Sequence, residues 1–318
     1  MRNHIFNSLL TVATITYSGN LAAQQKPNVI FIYADDLGKG LLSAYGQKQY
    51  TTFLYHPTQL PHGPVSVPEV YPEIQNNFQL TPIEKEYASM VKKLDIHVGL
   101  ILQELRKQGL EKNTIVVFSS DNGHEIYYSQ KGRAEKPYRN LQSGEFFDDL
   151  NNKYSSSLSG DIFNGNASMA GLKRSNLQGG VNVPLIFYWK GTFAENEISN
   201  QLVSNYDLLP TFAEMLGIRP SIKKDGISFW KTLTENVLLP DNRYVVYSSN
   251  LGAAIVENTG WKLRHYAKKN IFELYNLNTD PQERNNLIDN YPQIAEKLIN
   301  ILIRECESDL RNGINKTG

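Results

Sequence analysis

Two apolar runs constrain this chain more than any other feature. NVIFIY (28–33) and the core of NTIVVFSSDNG (113–123) are continuous, rich in β-branched or aromatic residues, and each stops on polar side chains. Runs of this kind are strands covered on both faces. Between them, residues 81–109 carry the marks of one long helix. Thr81 is placed to cap it, Pro82 suits the first helical position, and Glu84 completes a T-x-x-E capping box. Tyr87, Met90, Val91, Leu94, Val98, Ile101, Leu102 and Leu105 recur at helical spacing, and Gly109 ends the pattern. Strand, crossover helix and strand predict an α/β fold with a largely parallel sheet flanked by helices.

In open α/β sheets, ligands sit beyond the carboxyl ends of the strands. Asp35 and Asp36 in ADDLG, and Asp121 and Asn122 in SDNG, all fall just past such ends. Two neighbouring strands would then offer three carboxylates and an amide, hard oxygen donors that suit Ca²⁺ or Mg²⁺. Polar turns with Asx-type hydrogen bonds are the competing explanation of either motif alone. Finding both at strand ends favours the metal.

Farther along, residues 131–170 form a long polar stretch with few regular signals, the kind that is usually functional or mobile. In GLKRSNLQGGVNVPLIFYWKG (171–191), Gly179 and Gly180 permit a tight turn before an apolar strand. Lys173 and Arg174 precede that turn and could face an anion or stand as solvated charges; composition favours the latter. YDLLPTFAEMLGI (206–218) reads as a short amphipathic helix. After Gly226, RYVVYSS, GAAIVENTGWKLRHY and FELYNL alternate around turn signals, predicting a small antiparallel sheet closed by a helix over about 291–310. A boundary is expected near 220–226.

Lys plus Arg and Asp plus Glu number 32 each, so the formal net charge is zero and no basic excess points to nucleic acid. The 318 residues, 41% hydrophobic and 20% charged, can bury a substantial core. Arg2 and His4 ahead of IFNSLLTVATITY, then small residues up to Ala23, read as a secretory signal peptide over 1–23. That apolar core is too short for a membrane span. The expected mature protein is exported, periplasmic or secreted. The one cysteine, Cys306, admits no internal disulfide and reads as a half-buried helix thiol.

The ordered set PNVIFIYADDLGKG, PHGP (61–64), YASMVKKLDIHVGLILQELRKQGLEKNTIVVFSSDNG, GLKRSNLQGGVNVP, YDLLPTFAEMLGI and ELYNLNTDPQERNNL resembles the sulfatase family of the alkaline-phosphatase-like superfamily. The resemblance implies an alkaline-phosphatase-like sheet in a sulfatase-like domain over 24–222, followed by a C-terminal α+β subdomain over 223–318. It implies hydrolysis of sulfate esters, with a sulfated small molecule or glycan as partner and Ca²⁺, ahead of Mg²⁺, as cofactor. Asp35, Asp36, Asp121 and Asn122 match the family's metal ligands. Lys173 matches a lysine that contacts the sulfate group, and His62 an active-site histidine near the ester oxygens. His124 could line the cleft, whereas His97 on the long helix reads as structural.

The family's C-x-P-x-R segment, whose cysteine becomes the formylglycine nucleophile, has no counterpart here, nor has its later G-K-x-H segment. YGQKQ (45–49) runs almost directly into TTFLYHPTQLPHGP (51–64), as though an internal block near 46–52 were removed. Gln178 and Asn182 also stand where the family commonly has an acid and an arginine. Cleavage in this family is covalent, and charge-stabilising groups do not themselves attack. Ser43, Thr51 and Thr52 lie near the junction without the S-x-P-x-R context that would mark a nucleophile, which also disfavours a phosphoester hydrolase. The alternatives to a sulfate-ester hydrolase are therefore a noncatalytic, Ca²⁺-dependent binder of anions or sulfated glycans, or a deletion relic that does not fold.

Overall fold

A computed structural model describes residues 27–35, 53–125, 134–135, 139–140, 161–218, 225–249, 251–267 and 269–310. The expected signal peptide, Asp36, Ser43, Thr51, Thr52 and most of the polar stretch 131–170 lie outside the described residues.

Strand β1 (Asn28–Ala34) is the hub of the first sheet. It pairs in parallel with β2 (Phe53–Pro57) on one side, Val29 opposite Phe53 and Tyr33 opposite Pro57. On the other it pairs in parallel with β3 (Thr114–Ser120), Asn28 opposite Thr114 and Ala34 opposite Ser120. Helix α1 (Pro82–Lys107) makes the crossover. Its capping box forms as the sequence predicts, with Thr81 accepting from Glu84 N and the Glu84 carboxylate accepting from Thr81 N at 2.8 Å. Gly109 takes φ +66 just beyond its end, a conformation that costs glycine no steric penalty.

Alternation along β1 sorts its side chains between two cores. Ile30, Ile32 and Ala34 pack with Val116 and Phe118 of β3 against Leu94, Val98, Ile101 and Leu105 of α1. Phe31 points the other way, onto a cluster built on Leu208, Phe229 and Leu239, where α2 (Leu208–Met215) lies. The sheet is thus covered on both faces, which explains the continuous apolar runs.

One strand departs from the parallel set. β4 (Leu185–Tyr188) pairs antiparallel to β3, with Ser119 opposite Leu185 and Val116 opposite Tyr188. Apolar content does not encode strand direction, and β4 is an edge strand with Ile186 exposed. The preceding Gly179 and Gly180 do not make a tight positive-φ turn. They lie in a single helical turn, Gln178–Val181, where glycine is required for contact: a Cβ on Gly179 would stand 2.2 Å from Gly171 O, and one on Gly180 2.4 Å from Ser175 O.

The C-terminal part forms an antiparallel sheet in the order β8-β7-β6-β5, from β5 (Tyr244–Ser249), β6 (Gly252–Glu257), β7 (Trp261–Tyr266) and β8 (Ile271–Asn276). Ala253, Ile255, Leu263 and Leu274 pack against Ala295, Leu298, Leu302 and Cys306 of the helix α3 (Pro292–Glu305) and its cap. Cys306 is fully buried, and burial raises its thiol pKa. The opposite face is buried too, although it carries Lys262 and Arg264. Lys262 pairs with Glu283 at 2.5 Å and Arg264 with Glu273 at 2.9 Å.

Candidate functional site

The parallel register sets the first element of the site. Because Ala34 lies opposite Ser120, Asp35 and Asp121 leave neighbouring strands at the same level. Asp121 N donates to Ala34 O at 3.3 Å, and Ser120 Oγ donates to Asn122 O at 3.1 Å, which shapes the SDNG loop. Asn122 turns its amide nitrogen to Gly123 O at 3.0 Å. Asp121 is exposed and Asp35 partly so, leaving this edge open to solvent.

The His62 turn docks on the same edge. Thr58 N donates to Tyr33 O at 3.0 Å and Asp35 N to Leu60 O at 3.3 Å, so the PHGP segment begins beside the first acid. Its peptides Leu60–Pro61 and Gly63–Pro64 are cis. His62 Nδ1 lies 2.6 Å from Gly63 O. A carbonyl oxygen only accepts, so Nδ1 is the donor of this bond and the ring's other nitrogen, Nε2, is not engaged by it.

Lys173 arrives from the far side. Its backbone N donates to His124 O at 2.9 Å, and Gly123 N donates to Gly180 O at 2.9 Å. These two bonds lay the 171–181 loop against the SDNG loop. Contact is so close that a Cβ on Gly123 would stand 1.8 Å from Gly179 O. His124 is buried rather than lining a cleft. Its Nδ1 meets Tyr87 Oη at 3.1 Å, its Nε2 lies 3.4 Å from Asp161 Oδ2, and its backbone N donates to Asn166 Oδ1. Arg174, at φ +71, is exposed as the composition suggests, but its guanidinium also reaches the buried Glu125 carboxylate at 2.5 Å. His97 is half-buried on α1, with burial, then Lys93 and His56, lowering its pKa.

Sequence reasoning passed over Tyr33. Burial raises its hydroxyl pKa, a hydrogen bond from Asn205 opposes the rise, and the charge of Asp121 adds to it, which places the phenol beside the acidic edge. Its position in an apolar strand gave no sign of this. Arg174–Glu125 was equally hidden, because the partners are far apart in sequence.

Asp35, Asp121 and Asn122 are the donor chemistry a hard divalent cation takes. Among the described residues, however, no group of three or more His, Cys, Asp or Glu side chains is gathered to hold a metal. The third expected carboxylate, Asp36, lies outside them. Asp35, Asp121 and Asn122 are thus the expected ligands that the described residues include.

Acids past the parallel strand ends, a histidine turn and a lysine-bearing loop are thus bonded to one edge of an α/β sheet. The family model "Sulfatase" matches residues 47–218, more than half of the chain, and the model "N-sulphoglucosamine sulphohydrolase, C-terminal" matches residues 172–308. The chain belongs to the sulfatase family. N-acetylgalactosamine-6-sulfatase of Mus musculus is 26% identical over 235 residues, covering 73% of this chain and 38% of that protein. The crystal structure of Ps i-CgsB in complex with k-i-k-neocarrahexaose shares the fold, with a TM-score of 0.61 at 22% identity over 83% of this chain and 52% of that one. BT4656 in complex with its substrate D-glucosamine-2-N,6-O-disulfate superposes with a TM-score of 0.51 at 20% identity, over 74% of this chain and 42% of that one. The chain thus spans about half, or less, of the length of these proteins. Members of the family work with a divalent metal. No helix among the described residues is long and apolar enough to cross a membrane.

Proposed function

We propose that this chain is an exported sulfatase-family protein whose carboxyl-edge site engages sulfate esters of glycans. The observation that carries this reading is the register that sets Asp35 beside Asp121, with the His62 turn and the Lys173 loop tied to the same edge. Asp35, Asp36, Asp121 and Asn122 would hold Ca²⁺, which would supply positive charge toward sulfuryl oxygens. Lys173 would add a second positive charge from the opposite loop. His62, protonated on Nδ1, would present Nε2 to the ester. The sulfated sugar bound by BT4656 and the name of the mouse relative support a glycan as the carrier of the sulfate.

Hydrolysis would convert ester and water into alcohol and sulfate, and in this family it needs a covalent nucleophile. A second reading, Ca²⁺-dependent binding without turnover, is favoured by one specific observation. The only cysteine, Cys306, is fully buried against the C-terminal sheet and lies outside any C-x-P-x-R sequence. The deciding experiment incubates the purified chain and Ca²⁺ with aryl sulfates and sulfated sugars, following sulfate release and binding separately. Release would establish the hydrolase. Saturable Ca²⁺-dependent binding without release would establish the binder, and neither would refute both readings.

A further inference from the structure

Glu283 lies in NTDPQERNNL, a polar run that reads as an exposed turn, yet its side chain is fully buried. Its backbone takes φ +51, a region that non-glycine residues visit only when the surroundings hold them there. The surroundings do: Glu283 N donates to Asp280 O at 3.1 Å, and Leu287 N donates to Leu274 O at 2.8 Å, fastening the run to β8. The two carboxylate oxygens then point to different parts of the molecule. Oε1 meets Lys262 Nζ of β7 at 2.5 Å, and Oε2 accepts from Gln178 N at 2.6 Å.

Gln178 opens the helical turn whose Gly180 O receives Gly123 N. From the C-terminal sheet to the acidic edge the chain of contacts is therefore short: Lys262, Glu283, Gln178, Gly180, Gly123, and then Asn122 and Asp121. The same loop is fixed a second time. Asn176 Nδ2 donates to Gly252 O at 3.1 Å and His265 O at 3.0 Å, while Tyr247 Oη donates to Asn176 O at 3.2 Å. A buried ion pair is a poor source of net stability, but a charged acceptor holding a buried backbone N–H is a strong and directional contact.

We propose that Glu283, held by Lys262, is a positioning residue for the carboxyl-edge site, fixing the Gln178–Val181 turn against the SDNG loop and so setting the metal ligands relative to Lys173. This rests on the carboxyl edge being the site. Groups that orient metal ligands from behind typically change metal affinity by about 10- to 100-fold when removed.

The test is amide hydrogen exchange on the full chain, read in peptides over 119–125 and 171–183, together with a Ca²⁺ titration. The variants are Glu283→Gln with Lys262→Met, which removes both buried charges at once, and Leu298→Ala, which destabilises the opposite face of the same sheet. The double variant is expected to exchange about tenfold faster in both peptides and to need about tenfold more Ca²⁺ for half-saturation, whereas Leu298→Ala changes neither. Equal exchange in the double variant and the parent chain, or the same loosening in Leu298→Ala, overturns the proposal. If the double variant does not fold, Glu283→Met with Lys262→Met, an apolar pair that leaves neither charge buried and no acceptor for Gln178 N, is read by the same criteria. A parent chain indifferent to Ca²⁺ refutes the metal reading, and the exchange arm still decides the positioning role.

Discussion

Asp207 is fully buried, and a guanidinium lies against it. Both of its oxygens lie within 2.8 Å of Arg243, and they also accept from Ser204 N and Ile227 N, tying YDLLPTFAEMLGI to the start of the C-terminal sheet. Asp207→Asn leaves Arg243 buried without its counter-charge, a change that costs about 3–5 kcal/mol in comparable pairs. A urea denaturation midpoint lowered to match is the expected result. Tyr275 governs a different condition. Burial, then the charge of Glu273 and a hydrogen bond to it, push its hydroxyl far above the ordinary tyrosine value of 10.0. A raised folded-state pKa means the folded protein holds the proton that the unfolded chain releases. Its stabilisation is complete below pH 10 and declines as pH rises past that value. The melting temperature should therefore fall above about pH 10, and Tyr275→Phe, which has no proton to lose, should flatten that fall. Tyr247, whose hydroxyl is also raised by burial, keeps part of the decline in the variant.

At the scale of elements, the decisive contact is between two loops. Gly123 lies so close to Gly179 that Gly123→Ala must separate the SDNG loop from the Gln178–Val181 turn. Overpacking of this kind costs about 1–3 kcal/mol, and here it should also abolish any Ca²⁺-induced gain in melting temperature, a loss that Thr81→Ala at the distant helix cap should not share. The helix cap, the two buried strands and the C-terminal sheet were legible in the sequence because local chemistry specifies each: T-x-x-E, continuous β-branched runs, and alternation around NTG and NTDP. The direction of β4 was not, since pairing sense is set by the route of the chain. The buried face of the C-terminal sheet was also hidden. Lys262 and Arg264 alternate with Leu263 and His265 as on a solvent-facing strand, and their burial is offset by ion pairs with Glu283, distant in sequence, and with Glu273 on the adjacent strand.

For the whole molecule, the candidate site is a product of register. Asp35, Asp121, Asn122, His62 and Lys173 were each legible as motif residues, and the fold brings their backbones to one sheet edge through Leu60, Ala34, Gly123 and His124. What the motifs could not supply was the support beneath them, Glu283, Asn176 and Tyr87, because these act through contacts distant in sequence. The central claim is that this edge is a divalent-metal site serving sulfate recognition. Its most direct test is a thermal melt of the purified chain with and without millimolar Ca²⁺. A ligand at a hundred times its dissociation constant adds about 2.7 kcal/mol to a folded state that alone binds it. A single cooperative transition that Ca²⁺ moves upward by several degrees, and that Asp121→Ala makes indifferent to the ion, is the predicted result. A broad transition, or one that Ca²⁺ leaves in place, would contradict the account and leave the sulfatase relationship as one of descent alone.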